Sequence, residues 1–341
     1  MTPIRTTMVG SWPIPFGQRL KLKEYYADLV TDQEAYSVLQ AAARIAMDEQ
    51  IACGVDQFMG GETFAPDFFH HTPPRLAGLE TLQRRDTSKG HEGVGRYRVV
   101  GNLSAPRGTG HSLAFQREKA IEPRLSKVAI PSPLTIAGGF LNDSEIEHIS
   151  DMSEIITDEI VSMSQSGAEE IQLDAPSEAV AMISGTRSVD DLIPLIADPF
   201  SGIDTKGVGR KIIRTVHFCL GDISRKTATE DQNLRNLIPL VQALEGKIDR
   251  VHFECSYAGQ WAEREVLGDI PDSIEVIAGI ADVKNTAPSA TVEDLSEKIS
   301  LLLKVIPADR LLVSTSCGCG RVPHDEAIRL VRNLVKAASQ H

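Results

Sequence analysis

The 341-residue chain has no unbroken apolar run approaching about 18 residues, the length a membrane-spanning helix requires. It is short of basic residues, with 35 Lys and Arg against 47 Asp and Glu, and those it has are scattered. A net charge of -12 therefore disfavours a nucleic-acid backbone or an anionic membrane surface as the main partner. The segment from Met1 to Leu20 carries Pro3, Pro13 and Pro15 and lacks the apolar core of a signal peptide, so a cytoplasmic protein is expected. Cysteine is sparse and odd in number, five in all, which argues against a disulfide framework and for reduced thiols open to metal binding or chemistry. No Gly/Ser linker or low-complexity tract divides the chain.

What is present is an apolar share of 42% and a charged share of 24%, the balance of a globular protein with a real core. Eight short, apolar segments rich in β-branched residues read as buried parallel strands. They are Thr6 to Gly10, Val55 to Gly60, Lys127 to Pro131, Glu170 to Asp174, Ile212 to Cys219, Arg250 to Glu254, Ile274 to Ile280 and Arg310 to Ser316. Between them lie stretches with apolar residues at helical spacing, among them Gln33 to Cys53, Ser144 to Ser166, Asn233 to Glu245, Thr291 to Val305 and Asp325 to Ala338. Asp32, Asp143 and the run Thr291-Val292-Glu293-Asp294 are suited to cap three of them. Eight strands alternating with helices predict an α/β fold of one domain over 1–341, a closed (β/α)8 TIM barrel rather than an open sheet. The stretch Arg75 to Arg124 exceeds one repeat and reads as an insertion between the second and third barrel strands. It holds the alternating run Arg96 to Gly101, fit for an extra strand or hairpin, and a helix near Ser112 to Ile121.

In such a barrel the chemistry sits at the C-terminal ends of the strands. There the sequence delivers Val9-Gly10-Ser11, Gly60-Gly61-Glu62, Asp174, His217 with Cys219, His252 with Glu254, and Cys317 with Cys319. Two residues apart on a strand, His217 and Cys219 share a face. Alone, that pair is also what a core histidine beside a small buried thiol looks like. Further thiol and carboxylate ligands from neighbouring strand ends suit a catalytic zinc site, and predict His217, Cys219, Glu254 and Cys317 as ligands with Cys319 as the substitute. Glu254 has a structural alternative, pairing with Arg250 or Arg214. Cys255 should face the other way, into the core, and His252 packs or supports the site.

These residues, from Thr6-Thr7-Met8-Val9-Gly10-Ser11-Trp12-Pro13 to Ser316-Cys317-Gly318, resemble the C-terminal catalytic half of cobalamin-independent methionine synthase, a zinc thiol methyltransferase. The resemblance implies that Val9, Gly10 and Ser11 bind an amino-acid carboxylate, and that Glu62 and Asp174, in Gly60-Gly61-Glu62 and Leu173-Asp174-Ala175-Pro176, face its ammonium. It implies zinc on His217, Cys219, Glu254 and Cys317, which selects Cys317 over Cys319. The implied substrate is homocysteine, the product methionine, and the ion would favour the thiolate of a thiol otherwise mostly protonated at neutral pH.

The match is incomplete on the donor side. Where the long enzymes carry a Trp that stacks on the folate pterin, this chain has Leu134-Thr135-Ile136-Ala137-Gly138-Gly139-Phe140. Where they carry a general-acid His after an Asp, it has Asp282-Val283-Lys284, so Asp282 and Lys284 become the catalytic candidates. The methyl donor is thus expected to be a corrinoid protein, methylfolate or another carrier. Two other readings are zinc-dependent alkyl transfer to another thiol such as coenzyme M, which has no ammonium for Glu62 and Asp174, and a metal-free relative whose cysteines only pack.

Overall fold

The computed structural model describes residues 3–26, 32–65, 71–83, 95–140, 148–205, 211–222, 225, 227–256, 258–284 and 290–341. Seven parallel strands form one curled sheet. In chain order the strands are β1 (Arg5–Thr6), the hairpin pair β2 (Ala77–Gln83) and β3 (Arg96–Ser104), β4 (Lys127–Pro131), β5 (Glu170–Asp174), β6 (Ile213–Phe218), β7 (Arg250–Glu254), β8 (Glu275–Ala281) and β9 (Leu311–Thr315). The sheet order β1-β9-β8-β7-β6-β5-β4 follows the chain around an α/β barrel. β4, β5, β7 and β9 are buried at every residue, as strands enclosed by helices must be.

The expected second strand, 55–60, is reduced to two bridges, Thr7 to Gln57 and Ser11 to Gly61. Side chains supply what a ladder would otherwise give. The Asp56 carboxylate accepts from the Thr6 N–H and hydroxyl, both at 2.8 Å, and the Gln50 amide bonds both the N–H and the carbonyl of Met59 at 3.0 Å. Between them the Gln57 N–H donates to the Thr6 carbonyl and its carbonyl accepts from the Met8 N–H, both at 3.1 Å, so a short stretch of parallel pairing and these side chains together satisfy the backbone.

The helices are α1 (Phe16–Tyr26), α2 (Asp32–Cys53), α3 (His111–Ile121), α4 (Pro133–Phe140), α5 (Ile149–Gln165), α6 (Pro176–Ser184), α7 (Val189–Thr205), α8 (Ile238–Ala243), α9 (Ala258–Ala262), α10 (Val292–Leu302) and α11 (His324–Ala338). Their apolar faces cover the sheet: Ile299 and Leu302 of α10 and Leu330, Val331 and Leu334 of α11 belong to the same core as Val276 and Val313. Asp143, expected to cap a helix, lies outside the described residues. Thr291 does cap α10: its hydroxyl accepts from the Asp294 N–H and the Asp294 carboxylate accepts from the Thr291 N–H, both at 3.1 Å.

The stretch 75–124 splits in two. β2 and β3 pair antiparallel apart from the barrel sheet, while α3 packs between α2 and α5 in the helix ring. The N-terminal ends of the barrel strands close around buried Glu170, which accepts from Thr215 Oγ1 at 2.7 Å and Gln57 Nε2 at 2.9 Å and pairs with Arg250 and Lys127. The opposite, C-terminal ends stay open for a site. Among the described residues no helix is long and apolar enough to cross a membrane.

Candidate metal and amino-acid site

Register sets the site's geometry. Asp174, His217 and His252 are aligned across β5, β6 and β7, so three polar side chains stand at one level, of which Asp174 and His217 line the open-end cavity. The His217 and His252 rings stack with centroids 4.4 Å apart. Cys219 lies just past β6 and Cys317 just past β9. Their sulfurs and a ring nitrogen of His217 all fall within 4.8 Å of one another, a group that could hold a metal ion.

The electrostatics fit that use. Neither ring nitrogen of His217 has an oxygen or nitrogen partner, although the ring is buried. The neighbouring Cys317 thiol holds Cys219 well below the usual thiol range, against the effect of burial and with help from His217. One imidazole nitrogen, one favoured thiolate and a second thiol make a soft donor set.

Glu254 is buried beside this group but engaged elsewhere. The Lys284 ammonium lies 2.6 Å from its Oε1 and donates to its Oε2 at 2.7 Å, and Oε2 also accepts from the Leu220 N–H at 3.0 Å. Burial alone would lower the Lys284 pKa, yet Glu254 and the two cysteines hold it above the ordinary value. Glu254 thus pins the backbone just after Cys219. Asp282 accepts from the Lys284 N–H at 2.8 Å, and neither Asp282 nor Lys284 lines the main cavity. Cys319 and Cys255 are core thiols, each pushed up to about 12 by burial.

The cavity at the open end has a volume of about 620 Å³ and is lined by Val9, Ser11, Glu62, Asp174, His217, Cys219 and Cys317 together with an apolar wall. Ser11 Oγ accepts weakly from the Gly320 N–H at 3.3 Å, and Gly318 leaves that oxygen its place, since a Cβ there would lie 2.1 Å from it and force Ser11 to move. Glu62 sits in the left-handed region at φ 54°, directly after Gly61 at φ 80°. Its carboxylate lies across Gly10, where a Cβ would come within 2.0 Å of Oε1. Burial raises Asp174 to about 6 against the pull of His217, and burial, Asp174 and Glu118 raise Glu62 well above the carboxylate range. A pair of acids, Asp174 buried and Glu62 half-buried, whose charge is costly when unpaired suits a cationic ligand.

The model of the cobalamin-independent synthase catalytic domain matches residues 4–340. The chain belongs to this family. A methionine synthase of Saccharolobus solfataricus is 22% identical over 92% of this chain and 87% of its own length. The 5-methyltetrahydropteroyltriglutamate-homocysteine methyltransferase of Bacillus velezensis is 21% identical, and the match takes in 98% of this chain but 42% of that longer protein. Among solved structures, a B12-independent methionine synthase from Shewanella sp. W3-18-1 in complex with selenomethionine superposes with a TM-score of 0.79 at 20% identity, covering 99% of this chain and 97% of that one. At that identity the likeness carries the barrel fold.

Two supporting residues had escaped the reading of the sequence. Gln172 Nε2 donates to the Val9 carbonyl and to Asp174 Oδ1, both at 2.8 Å, and so locks two strand ends together. Strand parity with Asp174 was its one signal. Glu118, on α3, accepts from the Thr63 N–H at 3.1 Å beneath Glu62. No local motif marks it.

Proposed function

We propose that this methyltransferase-family protein transfers a methyl group to the thiol of homocysteine, forming methionine, with zinc held by His217, Cys219 and Cys317. The observation that carries the reading is that one cavity is lined both by that soft donor set and by the acids Glu62 and Asp174. A zinc ion there supplies the Lewis acidity that keeps a substrate thiol ionised at neutral pH.

The chain's own residues do the rest. Glu62 and Asp174 pair with the substrate ammonium, and each such contact grows stronger because water is excluded. Ser11, whose oxygen already accepts from Gly320, directs its O–H to the substrate carboxylate. Clamped at both ends, the amino acid points its side chain along the cavity toward Cys219 and Cys317, which orients the sulfur for attack on a methyl group. Lys284 and Glu254, as an ion pair, fix the segment after Cys219, and the Lys284 charge favours the Cys219 thiolate. Glu254 would serve as a fourth donor only by giving up its contacts with Lys284 and the Leu220 N–H.

The methyl donor enters against the wall formed by Leu134, Gly138, Val180 and Ala181. Among the described residues α4 turns Leu134 and Gly138 to the cavity, and the donor we favour against that wall is a methylcorrinoid rather than a stacked pterin. The test is methionine formation by zinc-loaded protein from homocysteine with methylcobalamin, methylfolate monoglutamate or methylfolate polyglutamate. Turnover with methylcobalamin supports both parts of the reading. Turnover with methylfolate alone overturns the donor assignment, and no turnover with any donor by folded, zinc-loaded protein overturns the activity.

A further inference from the structure

We propose that Glu118, a buried acid of α3, is the positioning residue for Glu62, setting selectivity for thiols that carry an ammonium group. The inference rests on the reading of Glu62 as an ammonium-binding acid, whereas the placement of its loop does not.

Three observations meet at Glu118. First, its carboxylate accepts from two consecutive backbone N–H groups, those of Thr63 (3.1 Å) and Phe64, which directly follow Glu62. Second, the other side of the same carboxylate occupies the space over Gly60: a Cβ at Gly60 would lie 1.9 Å from Oε2. Glu118 therefore grips the turn on both sides of Gly61-Glu62. Third, that turn is one an L-residue adopts only when its surroundings enforce it, with Gly61 at φ 80° and Glu62 at φ 54°. The outcome is the Glu62 carboxylate laid over Gly10, beside Ser11 and facing the cavity.

The support is itself anchored. Glu159 of α5 accepts from the N–H groups of Thr109 (2.9 Å) and Ser112 (2.6 Å) at the start of α3, fixing that helix against the ring. Burial pushes Glu118 up to about 7, against those two backbone bonds. Its acceptor oxygens, not a full negative charge, are what the loop uses. A glutamine keeps one such oxygen and an alanine keeps none. With alanine the N–H groups of Thr63 and Phe64 are left buried without a partner, and the turn relaxes to recover water.

The experiment compares Glu118→Ala, Glu118→Gln, Gly60→Ala and the Gly60→Ala/Glu118→Ala double variant. Steady-state kinetics use homocysteine and 4-mercaptobutyrate, which has the same thiol chain without the amine, and amide exchange is followed at Thr63 and Phe64. For Glu118→Ala we expect a rise of about tenfold or more in KM for homocysteine, kcat within about threefold and no change with 4-mercaptobutyrate. Zinc content stays at the wild-type value and the two amides lose protection. Glu118→Gln should restore homocysteine KM to within about threefold of wild type, because the acceptor is kept. Gly60→Ala should reproduce the alanine phenotype and add nothing to it in the double variant.

An unchanged homocysteine KM in Glu118→Ala, or equal losses with both thiols, overturns the proposal. Should Glu118→Ala not fold, the same readouts on Gly60→Ala and Glu118→Gln decide it. Should wild-type protein fail to use homocysteine at all, the proposed function falls, and exchange at Thr63 and Phe64 with the double-variant coupling still decides the positioning.

Discussion

Cys219 shows how much of the site a single residue carries. It is the sulfur nearest to being a thiolate, it faces His217, and the Gly221 N–H donates to it at 3.4 Å. Cys219→Ser removes a soft ligand while nearly keeping the volume, so zinc per chain should drop at least tenfold with the far-ultraviolet circular dichroism unchanged. Full zinc retention would refute the ligand assignment. Glu178, in the first turn of α6, offers a test that does not involve the metal group itself. Its Oε2 accepts from Ser132 Oγ at 2.8 Å and Thr135 Oγ1 at 3.3 Å, and burial raises it from 4.5 to about 7. Across that window the folded state keeps a proton that the unfolded chain has released, so stability falls as pH rises from 4.5 toward 7. Glu178→Gln cannot release that proton. Its unfolding midpoint in urea should decline less than wild type between pH 5 and pH 8, and parallel declines would show that Glu178 does not titrate there. His217, Cys219 and Asp174 were placed at strand ends by local signals, strand alternation and strand termini, whereas the choice of Cys317 over Cys319 came only from the family resemblance. Gln172 and Glu118 act only through partners distant in sequence.

At the scale of elements, local chemistry that closes on itself reads best. The run Thr291-Val292-Glu293-Asp294 predicts a cap and makes one, with both reciprocal bonds at 3.1 Å. Thr291→Ala should cost about 1 kcal/mol in chemical denaturation and leave the site's metal content intact. A loss of less than a few tenths of a kcal/mol would mean that packing against α11 holds α10 without its cap. The segment 55–60 shows the reverse case. Its apolar, β-branched start reads as a strand, yet only Gln57 keeps backbone pairing with Thr6 and Met8, and Asp56 and Gln50 supply much of the remaining hydrogen bonding. A side-chain amide reaching in from α2, that of Gln50, leaves no period in the segment itself. The hairpin of β2 and β3 was visible through the alternation of Arg96 to Gly101, whereas the place of α3 in the helix ring depends on its contacts with α2 and α5.

For the whole molecule, barrel closure is decided at the end opposite the site. Lys127 begins β4, at one edge of the hydrogen-bonded sheet, and its ammonium reaches β1's extension at the other edge, donating to Thr7 Oγ1 at 3.1 Å and the Met8 carbonyl at 2.9 Å. It also lies 3.4 Å from Glu170, which Arg250 pairs from β7. Burial alone would raise Glu170, but Lys127 and then Arg250 hold it below the ordinary value, so the network is charged in the folded state. A lysine inside an apolar strand gives no sign in the sequence of which strand it will meet. The network therefore substitutes for the missing ladder between β4 and 55–60, tying β4 to β1 through one side chain. Lys127→Met keeps the length and apolar stem but leaves Glu170 with one cation fewer and the Met8 carbonyl without that donor. Removing one partner of a buried pair costs about 3–5 kcal/mol, so guanidinium unfolding should shift by that amount. Zinc bound per folded chain should not change, because the metal group lies at the far end of the strands. A loss below about 1 kcal/mol would show that Arg250, Thr215 and Gln57 suffice to hold Glu170 and that closure does not depend on Lys127.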